Sequence, residues 1–203
     1  MCRRDWIPGR LPLRLSLGEW RALLRWFVRG APSAEIARET GLGRKRVLRA
    51  LLIVRRALLG AATIGQRTNP PRSSSRVPTL GLHIGDDGRA WAELLSDAEA
   101  EQFGRRLRER AGHRTLPAPV LQRYTAVVYR GRLYRLAGGG AERVPFGRVE
   151  AFWAYLQRHL RAKGGVRRAR LDLYLAAFAW RYNHRKLSPG EQVEELLALI
   201  RQP

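Results

Sequence analysis

Cysteine is nearly absent. Cys2 is the only one in 203 residues, which excludes an internal disulfide framework and a cysteine-based zinc ribbon. Lysine is almost as scarce: Lys45, Lys163 and Lys186 are the only three, so 36 of the 39 cations are arginine. Carboxylates are few, 17 in all. No apolar run approaches the ~20 residues that span a bilayer. Met1–Arg10 is basic but lacks the apolar core of a secretory signal. These absences lead to the expectation of a cytoplasmic protein with no membrane partner.

What is present is positive charge, a formal +22. A GC-rich coding sequence produces arginine in place of lysine, but it does not produce an excess of cations over anions. A field of this sign attracts polyphosphate, and nucleic acid is the first partner to expect. A basic RNA-binding structural protein, ribosome-like, fits the same arithmetic. Residues 1–60 carry 14 cations and 4 anions, a net +10, whereas 61–140 and 141–203 carry +6 each. Contact with double-stranded DNA is therefore expected first in the N-terminal third.

Three blocks organise the chain. The first, 14–59, reads as helical. Residues 66–78, QRTNPPRSSSRVP, hold Pro, Ser and Asn with little apolar content and read as a linker. The third, 79–203, mixes strands with long helices. Thr79–Ile84 and Arg89–Leu95 flank a Gly85-Asp86-Asp87-Gly88 hairpin signal. Ser96-Asp97 caps a helix to about Ala111, and Val120–Tyr129 and Arg132–Leu136 read as strands. Val149, Phe152, Trp153, Leu156 and Leu160 recur at helical spacing, as do Leu171, Tyr174, Leu175, Phe178 and Tyr182. Phe152 and Trp153 are read as core. A last helix opens on Ser188-Pro189-Gly190-Glu191 and buries Val193, Leu196, Leu197 and Ile200. The plan is α/β (α+β).

Ser33–Leu52, SAEIARETGLGRKRVLRALL, reads as a helix-turn-helix. Ile36 and Ala37 face inward, Gly41 takes the left-handed turn, Leu42 plugs the corner, and Val47 and Ala50 pack from the second helix. Arg44, Lys45, Arg46 and Arg49 then stand outward at the start of that helix, where recognition helices meet the major groove. A preceding helix, Leu17–Arg29, begins with a Ser16-x-x-Glu19 capping box and carries Trp20, Leu23, Leu24 and Phe27 on one face.

From Gly147 the chain reads GRVEAFWAYLQRHLRAKGGVRRARLDLYLAAFAWRYNHR. Val149, Glu150, Phe152, Trp153, Arg158, Leu160, Gly165, Val166, Tyr174, Leu175, Phe178 and Arg181–Arg185 stand in the order and spacing of the end of ISXO-like insertion-sequence transposases, members of the DDE superfamily. Residues 145–187 thus resemble that family, and 11–59 are similar to its helix-turn-helix. The resemblance implies a helix-turn-helix followed by a reduced RNase H-like domain. It divides the chain into 11–59, a degenerate strand and linker at 60–78, and a transposase-derived domain at 79–203.

The same resemblance implies three carboxylates holding two divalent metals. Glu150 stands at the third acid position. Gly60 stands at the first and Ala126, in Tyr124-Thr125-Ala126-Val127, at the second. Gln157 replaces a basic residue seven positions after Glu150. The family's zinc ribbon is missing, since only Cys2 is available. Asp86 and Asp87 fall in a hairpin turn and Asp97 in a helix cap, so none substitutes. One carboxylate cannot hold a metal pair.

The leading expectation is a catalytically inactive, transposase-derived DNA-binding protein with no cofactor, acting as a regulator, a homo-oligomer or a subunit of a nucleoprotein complex. Active DDE chemistry with Mg²⁺ through unrecognised acids is the alternative enzyme reading. Arg167, Arg168 and Arg170 form a second basic segment. His83, His113, His159 and His184 are too scattered for a metal box, and Asn183 with His184 reads as a helix-end cap rather than a DNA contact.

Overall fold

In the computed structural model, which describes residues 13–62, 77–109, 115–117, 121, 123–137, 145–163 and 166–201, the expected cap at Ser16 opens the first helix. The Ser16 N–H donates to Glu19 Oε2 at 2.6 Å and the Glu19 N–H donates to Ser16 Oγ at 3.2 Å. This reciprocal box starts α1, Leu17–Val28, which buries Trp20, Leu23, Leu24 and Phe27. Two more helices follow, α2 at Ser33–Thr40 and α3 at Arg44–Ala62.

The middle of the chain builds a mixed sheet. Its strands are β1 (Leu80–Ile84), β2 (Ala90–Leu94), β3 (Thr115–Pro117), β4 (Ala126–Tyr129) and β5 (Arg132–Ala137). The order is β2-β1-β4-β5-β3, antiparallel except where β3 runs parallel to β5. Helix α4, Asp97–Glu109, lies between β2 and β3 in sequence. Helices α5, Phe146–Arg161, and α6, Leu171–Asn183, come after β5. The last helix is α7, Pro189–Ile200.

Alternation along the strands sorts the side chains into two cores. Leu80, Leu82, Ile84, Ala90, Leu94, Ala126 and Val128 pack with Val149, Phe152, Leu156, Leu175 and Phe178 of α5 and α6. Val127 and Leu136 point the other way and join Leu95, Phe103, Leu121 and Tyr124. The Tyr124 ring packs so closely on Gly81 that any Cβ there would clash with it.

The chain forms two compact units, and their limits differ from the expected ones. One runs to Ala61 and resumes at His184; the other is Ala62–Asn183. Residues 184–203 therefore do not close the 79–203 block. Helix α7 packs against α1 instead, and Arg21 reaches Glu194 with bonds of 2.9 and 3.3 Å. The apolar spacing of α7 shows that it packs, not on what. Gly60, expected to open a degenerate strand, is in the last turn of α3. Its neighbours Ala57, Leu58 and Ala61 simply extend the helix. Of the expected 60–78 stretch, residues 63–76 lie outside the described residues, as do Cys2 and His113.

Two further differences are local. The strand expected from Val120 begins only at Ala126, because the Tyr124 N–H donates to the Leu121 carbonyl at 2.9 Å and closes a turn. Asn183 neither caps α6 nor faces solvent. Its Oδ1 accepts from the Ala90 N–H at 2.8 Å and its Nδ2 donates to the Ala90 carbonyl at 3.0 Å. The side-chain amide thus acts as one residue of a further strand and blocks the open edge of β2. Asn183→Ala leaves both groups without that partner, at a cost of about 1–3 kcal/mol. Thermal melting should show a transition lowered by several degrees; an unchanged melt would mean that water replaces both bonds.

Candidate nucleic-acid interface

The turn between α2 and α3 decides which side of α3 faces out. The Thr40 hydroxyl donates to the Ile36 carbonyl at 2.6 Å and finishes α2. Gly41 follows with φ +67°, a left-handed conformation that other residues adopt only with strain. Leu42 is buried at the corner, and Ile36, Val47, Ala50, Leu51 and Val54 are buried behind it. Ala37, expected to be buried with them, is only half-buried. With Val47, Ala50, Leu51 and Val54 inward, the rotation of α3 is fixed. Arg44, Lys45, Arg46 and Arg49 are all exposed.

Their placement runs against helix electrostatics. The N-terminus of a helix carries partial positive charge and favours anions. Helices α1, α2, α4, α6 and α7 each have Asp or Glu in the first turn. Helices α3 and α5 have none there, and α3 begins Arg-Lys-Arg. Each cation so placed costs about 0.3–1 kcal/mol by the dipole alone. Gly43, whose carbonyl accepts from the Arg46 and Val47 N–H groups, has no side chain to cap the first turn. Cations thus gather at a helix start that no acidic side chain occupies, where the helix dipole itself favours an anion.

The four cations are not equivalent. Glu19 on α1 is held below the usual carboxylate range, first by the Ser16 backbone N–H and hydroxyl, and to a smaller extent by the charge of Arg46. Arg46 is therefore within electrostatic range of Glu19, a neighbour that spacing along α3 could not reveal.

The other nominated residues lie elsewhere. Arg167 and Arg170 are exposed and Arg168 half-buried, around a short 3-10 turn, Arg168–Arg170, that leads into α6. They belong to the second unit. So do Ala126 and Glu150, whereas Gly60 belongs to the first. Ala126 is fully buried among apolar residues, with Val149 and Phe152 in the same cluster. Glu150 is exposed and Gln157 half-buried. No family model matches this chain, and neither does any curated protein or solved structure.

The remaining candidates have structural surroundings. His83 meets the Trp91 ring at 5.6 Å between centroids. His159 sits between Tyr155 at 4.3 Å and Phe178 at 5.3 Å. Burial pushes its imidazole pKa down, and Arg181, Arg158 and Lys163 add to this. Phe152 is buried, and Trp153 packs half-buried against the same core. Asp87 Oδ1 accepts from the Arg89 N–H at 2.9 Å within the β1–β2 turn. Among the described residues no group of three or more His, Cys, Asp or Glu is placed to hold a metal ion. Among them, too, no helix is long and apolar enough to cross a membrane.

Proposed function

We propose that this chain is a DNA-binding protein descended from a DDE transposase, in which the helix-turn-helix is kept and the strand-cleaving chemistry is lost. One observation carries the reading: Arg44, Lys45, Arg46 and Arg49 stand exposed at an acid-free helix start, directly after a left-handed turn at Gly41. The first turns of α3 would enter the major groove, with arginine reaching guanine edges or phosphates. The overall +22 charge supplies long-range attraction. Arg167 and Arg170 offer a second, phosphate-directed contact.

The loss of chemistry rests on the residues at the acid positions. Two-metal phosphodiester cleavage needs carboxylates on both sides of an ion pair ~3.5–4 Å apart. Gly60 and Ala126 have no side-chain ligand, and Ala126 lies in an apolar core where an ionised group would be costly. Such a protein would act as a repressor, a regulator or a subunit of a nucleoprotein complex.

Two measurements test this reading. Binding to duplex DNA followed across salt should weaken steeply, with log K falling by about 0.9 per log salt for each phosphate neutralised. A nearly flat salt response would argue against an arginine–phosphate interface. No strand cleavage or joining is expected with Mg²⁺ or Mn²⁺, and Glu150→Gln should leave DNA affinity within about twofold, since Glu150 is exposed on a helix outside the α3 cluster. Metal-dependent nicking abolished by Glu150→Gln would restore the enzyme reading.

A further inference from the structure

Leu48 stands where a polar residue belongs. It is 45% exposed, and among the described residues the only other exposed large hydrophobics are Leu17 and Val77. On α3 it lies three residues after Lys45 and four after Arg44, so the three share one outward face. Val47, Ala50 and Leu51 are buried, which fixes the rotation of α3 and leaves Leu48 at the border between its buried and its outward face. An apolar side chain is thus held exposed at the edge of the cationic surface.

We propose that Leu48 is a specificity-determining residue that packs on the C5-methyl group of a thymine in the major groove; this rests on the DNA-binding reading above. The major groove displays one apolar group, the thymine methyl, and small or branched apolar side chains are what contacts it. The cations beside Leu48 hold the helix against phosphate and guanine, which brings the leucine to base-edge depth. The other occupant to consider is a second copy of this chain. A two-fold interface through Leu48 would set Arg44, Lys45 and Arg49 against their own copies, and like charges facing one another oppose that pairing. A polyanion meets the same surface with complementary charge.

The experiment begins with selection of bound sequences from a random-sequence DNA duplex pool by the whole protein. The selected duplex is then remade with each thymine in turn replaced by deoxyuracil, which removes only the methyl group. One A·T position should be fixed by selection, and uracil there should weaken wild-type binding about fourfold, the fold-change equivalent to about 0.8 kcal/mol per buried methyl. Leu48→Ser, checked for an unchanged melt, should bind the thymine and uracil duplexes equally. Strong selection with no thymine fixed, or a uracil penalty that persists in Leu48→Ser, overturns this assignment while DNA binding stands. A dimer that Leu48→Ser converts to monomer also overturns it, in favour of a self-association face. No selection and no binding overturns the DNA reading itself, and this assignment with it.

Discussion

Alanine at Arg44, Lys45, Arg46 and Arg49 together should lower affinity for duplex DNA by about 100-fold or more, while the protein melts no earlier than wild type. The two halves of that result come from different physics. All four side chains are exposed, so truncating them opens no cavity. Three of them occupy the first turn of α3, where the dipole disfavours cations, so their removal relieves a few tenths of a kcal/mol each or more. On the DNA side, each arginine–phosphate pair removed should reduce the salt slope by about one, and each arginine–guanine pair removed costs about 1–3 kcal/mol. Stability that stays level or rises while binding collapses is the signature of a surface kept for a ligand. Fluorescence anisotropy across salt, paired with calorimetry, separates the two effects. Full binding by the quadruple variant would move the interface away from α3, with Arg167 and Arg170 next to be changed.

The second large effect is expected far along the chain from α3. Leu196→Ala with Leu197→Ala should unfold the first unit and remove DNA binding, although neither residue is on a basic surface. Both are buried in α7, together with Val193 and Ile200. Leucine-to-alanine changes in a core cost about 2–5 kcal/mol each. A small unit has ~5–15 kcal/mol of total stability, so the pair consumes much of it. Circular dichroism should show partial loss of helix at a temperature where the sheet unit still melts cooperatively. Glu194→Ala is the contrast: it breaks only the exposed pair with Arg21, a class of interaction worth about 0–1 kcal/mol. A double variant that still binds DNA normally would show that α1–α3 need no support from α7.

Much of the fold was legible because its signals are local. Ser16 with Glu19 and Ser188 with Glu191 are complete capping boxes within four residues. The β1–β2 hairpin announces itself through Gly85-Asp86-Asp87-Gly88, and Gly88 takes the positive φ of the turn. The four-cation surface of α3 follows from helical spacing alone. What was not legible depends on partners distant in sequence. Asn183 stands in plain view at the end of α6, yet its partner, the backbone of Ala90, has no side-chain signature. Strand β3 is three residues long and ends in proline, too short for alternation to register. The partner of α7 could not be read because every amphipathic helix offers the same kind of face. Exposure of Leu48 was hidden for the opposite reason: a leucine beside Val47 and Ala50 reads as core until the rotation of the helix is known.

The excursion of Ala62–Asn183 between α3 and α7 also sets an order of events during synthesis. Helices α1–α3 leave the ribosome before Ala62–Asn183, and the helix that packs on α1 follows only after that whole segment. At about 5–20 residues per second, the delay is on the order of ten seconds. Throughout that interval a nascent chain carries its cationic surface on an incomplete core. The first unit is thereby completed only once α7 has been made, and a chain cut off before α7 lacks the helix that packs on α1.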